Sequence, residues 1–61
     1  MQEVTKIIST SNKRGRKMVQ AIVNGQTRHL RVVREVGNPV TRTIFTDAEG
    51  REYFNAGGIR W

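Results

Sequence analysis

The sequence predicts an all-β protein, a small five-stranded antiparallel meander curled into an SH3-like barrel. No segment shows a sustained helical period, and β-branched residues occur throughout the chain. Short apolar stretches are separated by turn signals, of which Asn24-Gly25 and the segment 47–50 are the clearest. With 61 residues, the chain is long enough for one domain, so we take residues 1–61 as a single unit.

The first predicted strand covers residues 3–9, with Thr5 and Ile7 on one face and Val4, Lys6 and Ile8 on the other. Residues 11–16 follow as a polar, basic stretch that contains Gly15, and this composition is typical of a loop. The second strand begins at Lys17 and runs to Val23.

Asn24-Gly25 predicts a two-residue type I′ turn, because both central positions of that turn require positive φ. The turn sets the register of strands 17–23 and 26–36, so that Val23 lies opposite Gln26. We expect the core face to hold Val19, Ala21, Val23, Leu30 and Val32. We expect the opposite, outer face to hold Met18, Gln20, Ile22, Thr27, His29 and Arg31.

The segment Gly37-Asn38-Pro39 ends the third strand, and residues 40–46 and 51–55 form a second hairpin. Residues 47–50 fit a type I turn with Gly50 at a positive-φ position. In this register Phe45 lies opposite Tyr53, while Ile44 lies opposite Phe54 on the other face. Residues 59–61 are either a short closing strand or a docked tail.

Apolar residues on both faces are the reason for predicting a barrel. An open, flat sheet would leave Met18, Ile22, Val33 and one of the two cross-strand pairs of the second hairpin exposed to water. A curled sheet removes this exposure within one chain. The alternative is an open antiparallel sheet that is completed by dimerisation.

The residue types present argue against an enzyme. There is no Cys nucleophile, and His29 is the one side chain that ordinarily titrates near neutral pH. An isolated His in a strand is more often an ordinary surface residue than a general base. We therefore expect no catalytic residues, no cofactor and no metal site.

Positive charge is concentrated in the first part of the chain. The net charge is +6; residues 1–36 carry eight Lys or Arg and two Glu, whereas residues 37–61 carry three of each sign. Such an asymmetry indicates a surface that faces a polyanion. The predicted nucleic-acid-binding residues are Lys13, Arg14, Arg16, Lys17, Arg28, Arg31 and Arg34.

These cations differ in how the predicted strands place them. Four lie in the basic segment 13–17, where Gly15 would allow close approach to phosphates. Arg31 belongs to the outer face, whereas Arg28 and Arg34 fall formally on the core face and are expected to emerge at the sheet ends. An equally simple interpretation is that such charges protect strand edges from aggregation.

The pattern favours a non-enzymatic nucleic-acid-binding module that contacts the backbone of DNA or RNA. The alternative is a protein-interaction or inhibitor module that binds an acidic protein partner through Met18, Ile22 and Val33; a homodimer is the other partner that the apolar residues suggest. Trp61 would then be either a plug for the core or a partner contact. The longest apolar run is three residues, which predicts no membrane segment, and the lack of Cys suits the cytoplasm.

Overall fold

Six β-strands form one sheet in the computed structural model, which describes all of residues 1–61. The strands are β1 (Gln2–Glu3), β2 (Lys6–Lys13), β3 (Arg16–Val23), β4 (Gln26–Val36), β5 (Arg42–Thr46) and β6 (Glu52–Ala56). Their order across the sheet is β1-β6-β5-β4-β3-β2, and all neighbours are antiparallel except β1 and β6. The all-β class is therefore confirmed. No helix in the structure is long and apolar enough to cross a membrane.

The prediction of five strands was wrong, because the first predicted strand is divided in two. Val4 donates its amide to the carbonyl of Phe54, whereas Thr5 donates to the carbonyl of Ile22. The chain thus leaves β6 at Val4, which is buried, and joins β3 from Lys6 onward. β1 and β2 remain the two edge strands, and the sheet is not closed into a barrel.

A tight turn joins β2 to β3, where the sequence predicted a loop over residues 11–16. Arg14 and Gly15 have φ of 55° and 80°, and Lys13 pairs directly with Arg16 across the turn. Positive φ at both central residues is the signature of a type I′ hairpin turn. The basic segment is therefore the tip of a regular hairpin.

The β3–β4 hairpin has the predicted turn and register. Asn24 and Gly25 have φ of 53° and 78°, and Val23 pairs with Gln26. The core is a cluster of seven buried residues: Val4, Val19, Ala21, Val23, Leu30, Phe45 and Tyr53. Val32 and Trp61 are partly buried and pack against this cluster, so the C-terminal residue covers the core.

The second hairpin also has its predicted register, with Phe45 opposite Tyr53 and Ile44 opposite Phe54. Gly50 adopts the expected positive φ, 84°. The Tyr53 hydroxyl donates to Asp47 Oδ2 at 2.9 Å, and this bond raises the pKa of Tyr53. Burial opposes ionisation of Asp47, but the bonds from Tyr53 and from the amides of Arg51 and Glu49 together lower its pKa.

β4 contains an irregularity that the sequence did not predict. Its pairing with β5 shifts between Val32 and Arg34, because Val33 is an extra residue on the β4 side. An extra residue in one strand reverses the alternation of side chains beyond it. Residues 34–36 therefore face the opposite way from the prediction.

Candidate nucleic-acid interface

The tip of the β2–β3 hairpin presents three exposed cations, Lys13, Arg14 and Arg16. None of the three makes an ion pair or a side-chain hydrogen bond. Arg14 is notable because its φ of 55° is one that residues other than Gly, Asn and Asp adopt at a cost. The turn therefore holds an arginine at a position where the backbone favours other residues.

A cleft opens between this tip and β4. The β3–β4 pairing begins at Met18 and Arg31, so residues of β4 after Arg31 pair with β5 alone. The gap has a volume of about 470 Å³. It is lined by Arg14, Gly15, Arg16, Lys17, Arg31, Val32 and Val33, with no carboxylate among them. A cleft with this lining attracts anions.

The irregularity in β4 adds Arg34 to the outer face. Arg31 lies opposite Thr46 and Arg34 lies opposite Ile44, and these two β5 residues share a face because they are two positions apart. The prediction that Arg34 falls formally on the core face was wrong for this reason. If β4 paired regularly and Val33 lay opposite Ile44, Arg34 would point inward like Val32.

Arg42 also belongs to this surface, although it was not among the binding residues predicted from the sequence. It lies two residues before Ile44 on β5 and opposite Val36, so it shares the outer face. Its guanidinium lies 5.0 Å from the centroid of the Phe54 ring. The sequence signal that could have identified Arg42 is its spacing of two from Ile44, which the predicted register places on the face opposite Phe45. We call the exposed set Lys13, Arg14, Arg16, Arg31, Arg34 and Arg42 the cationic surface.

Lys17 has a different environment from the rest of the predicted basic loop. Its Nζ donates to Glu35 Oε2 at 2.9 Å and lies 5.5 Å from the centroid of the Trp61 ring. The hydrogen bond from Lys17, followed by one from Trp61 Nε1 to Glu35 Oε1 at 3.2 Å, lowers the pKa of Glu35. Lys17 is thus neutralised within the chain, although its stem lines the cleft.

Arg28 lies apart from the cationic surface. It pairs with Ala21 on the core face, and its Nη2 donates to Gln26 Oε1 at 2.9 Å. Six residues of extended chain, about 20 Å, separate it from Arg34. Arg28 instead lines a second cavity of about 420 Å³ together with Glu52 and Arg51. Of the seven predicted residues, four line the cleft, Arg14, Arg16, Lys17 and Arg31, and among these Lys17 is paired with Glu35. Lys13 lies opposite Arg16 at the hairpin tip, Arg34 shares the outer face with Arg31, and Arg28 lies elsewhere.

The aromatic residues are not displayed as platforms for bases. Phe45 and Tyr53 are buried in the core. Trp61 and Phe54 are partly buried, the first bonded to Glu35 and the second beneath Arg42. His29 is exposed and pairs across the strands with Gln20. No group of three or more His, Cys, Asp or Glu is placed to hold a metal ion.

Comparison with known proteins found no match, whether with family models, curated proteins or solved structures. The functional argument therefore rests on the geometry of the cationic surface. That geometry combines an arginine at a positive-φ turn position, a cleft without carboxylates and a face to which three neighbouring strands contribute arginines.

Proposed function

We propose that this chain is a non-enzymatic nucleic-acid-binding module that contacts the phosphate backbone through its cationic surface. The observation that carries the proposal is the cleft between the β2–β3 tip and β4. Arg14, Arg16 and Arg31 line it, and no acidic side chain lies among its walls. Unpaired guanidinium groups around one opening suit phosphates, which they can bind in a bidentate manner.

The absence of acidic partners for the cations of this surface supports the proposal. Three cations that contact polar side chains of the fold, Lys17 with Glu35, Arg28 with Gln26 and Arg51 with Glu49, lie outside the cationic surface, whereas Arg42, which belongs to it, lies over the Phe54 ring. The members of the surface are exposed and have no acidic partner. Positive charge without a partner inside the molecule repels itself, and a polyanion relieves that repulsion.

The alternative, an apolar face for an acidic protein, has less support. Of its predicted residues, Ile22 is half-buried and Trp61 packs against the core. Met18 and Val33 remain exposed, and both lie beside arginines. Two exposed side chains are a small area for a stable protein interface, which usually buries about 800 Å² on each partner.

The test is a fluorescence anisotropy titration with labelled duplex DNA, single-stranded DNA and RNA, each at low and near-physiological salt. One variant removes three cleft arginines, R14Q/R16Q/R31Q. Its control, R28Q/R51Q/R60Q, loses the same charge elsewhere. Because each lost phosphate contact lowers the salt slope by about one, we expect the cleft variant to lose about 100-fold or more in affinity at near-physiological salt. The control should lose much less.

Two outcomes would contradict the proposal. Equal losses in the two variants would mean that net charge alone attracts the ligand. Equal competition by polyglutamate of matched charge would mean that phosphate is not recognised, and would favour an acidic protein as the partner.

A further inference from the structure

Two exposed apolar side chains lie among the arginines of the cationic surface. Met18 is 42% exposed and Val33 is 49% exposed. Met18 pairs directly with Arg31 across the strands and lies two residues from Arg16, on the same face. Val33 lines the cleft together with Arg14 and Arg16. Val33 therefore lies in the cleft, and Met18 lies next to two residues that line it, Lys17 and Arg31.

Hydrated phosphates give an apolar side chain nothing to pack against. The apolar surface of a nucleic acid is the stacked bases, which can be reached where two base pairs separate at one step. Proteins that insert Met, Leu, Ile or Phe in this way do so from the minor groove, with Arg or Lys on the flanking backbone. An apolar pair surrounded by guanidinium groups matches that arrangement.

Single-stranded nucleic acid is bound by a different set of side chains. Its unstacked bases bind to exposed aromatic rings as well as to cations. None of the four aromatic residues here is exposed: Phe45 and Tyr53 are buried, and Phe54 and Trp61 are partly buried. The surface thus has cations and aliphatic side chains but no stacking platform.

Resting on the proposed function, we propose that the cationic surface binds double-stranded DNA from the minor-groove side and that Met18 and Val33 insert at a base step. Arg16 and Arg31, which flank these residues, contact phosphates on either side of the step. Partial unstacking bends the duplex away from the protein. Steps that unstack easily, such as TA and CA, are the preferred sites.

Duplex RNA fits this arrangement less well. Its minor groove is wide and shallow, and proteins read it through 2′-hydroxyl groups and shape. Met18 and Val33 can form no hydrogen bond to a hydroxyl group. The proposal therefore commits to DNA.

The experiment compares the M18A/V33A double variant with the single variant I8A. Ile8 is a matched control, because it is 47% exposed but lies on the edge strand β2, away from the cleft. Two quantities are measured with a 20-base-pair duplex carrying fluorophores at its ends. Affinity is followed over a range of salt concentrations, and energy transfer between the ends reports bending.

We expect the wild-type protein to shorten the end-to-end distance of the DNA duplex and to bind it more tightly than single-stranded DNA or duplex RNA. M18A/V33A should lose about tenfold in duplex affinity and most of the bending, with the salt slope unchanged because no phosphate contact is lost. I8A should behave as wild type. Thermal unfolding of all three proteins verifies that each is folded.

The inference is overturned if the wild-type protein binds DNA without bending it, prefers RNA or single strands, or loses as much affinity through I8A as through M18A/V33A. Each of these results leaves backbone binding by the arginines in place. Failure to bind any nucleic acid at near-physiological salt would instead overturn the proposed function itself.

Discussion

At the scale of one residue, Arg14 occupies a turn position at which the backbone favours other residues. The chain contains two type I′ turns, and the turn at Asn24-Gly25 uses the residue that its backbone favours. Arg14 occupies the equivalent first position of the other turn with nearly the same φ, 55° against 53°. A residue with a long side chain at this position costs about 1 kcal/mol relative to Gly or Asn. This position places an exposed guanidinium group at the cleft.

Exchanging this residue separates the two effects. R14N should raise the free energy of unfolding by about 0.5–1 kcal/mol, because Asn is favoured at positive φ. The same variant should bind nucleic acid more weakly, with a salt slope smaller by about one. Urea denaturation and anisotropy titration measure the two quantities. N24R is the mirror control and should lose stability without gaining affinity; an R14N protein that binds like wild type would remove Arg14 from the site.

At the scale of the element, the turns show which parts of the fold were readable from the sequence. Asn24-Gly25 specified its hairpin, and the segment 47–50 specified the next one, because each carries residues that suit its turn. Arg14-Gly15 builds the same type of turn as Asn24-Gly25, yet Arg gives no such signal. The sequence therefore predicted a loop over residues 11–16, whereas the structure has a hairpin tip there and most of these residues belong to strands.

The extra residue in β4 was also beyond prediction, since Val32, Val33 and Arg34 contain no Gly to mark it. It nevertheless decides the composition of the candidate site, because it moves Arg34 to the outer face. Sequence alternation correctly placed Arg31, which precedes this irregularity. It failed for Arg34, which follows it.

The β4–β5 connection depends on one glycine. Gly37 has φ of 95°, and a Cβ there would lie 2.9 Å from the carbonyl oxygen of Pro39. Thr41, whose amide donates to the Val36 carbonyl at 2.8 Å, would also be displaced. G37A should therefore lower the free energy of unfolding by roughly 2–4 kcal/mol, the sum of strained φ and steric contact.

Gly50 offers the matched control for this prediction. Its φ is 84°, but nothing lies within 4 Å of a Cβ at that position. G50A should cost only the backbone term, roughly 1 kcal/mol. Urea denaturation of both variants gives the comparison, and equal losses would show that the close approach at Gly37 has no energetic consequence.

At the scale of the whole molecule, the two ends of the chain hold the sheet together through contacts that no local pattern reveals. The N-terminal segment bonds first to β6 and then to β3. The C-terminal residue Trp61 packs on the core and bonds to Glu35, which also holds Lys17. The sequence left Trp61 open between two roles, because nothing near it in the chain indicates Glu35 or Lys17 as its partners.

Glu35 on β4 accepts hydrogen bonds from Lys17 on β3 and from Trp61 in the C-terminal tail, so its charge should contribute to stability. Its folded-state pKa is lowered, first by the hydrogen bond from Lys17 and then by that from Trp61. A lowered carboxylate pKa gives stability that is present above the unfolded-state pKa and is lost as the pH falls through the folded-state pKa. E35Q should therefore lower the free energy of unfolding by about 0.5–1 kcal/mol at neutral pH, with the difference from wild type vanishing in acid.

E49Q is the control, since the Glu49–Arg51 pair spans 3.4 Å with side chains 67% and 64% exposed, and it should change stability little at any pH. Denaturation curves across the acid range measure all three proteins, and a constant E35Q deficit from neutral pH down to acid would contradict the assignment to the Glu35 charge.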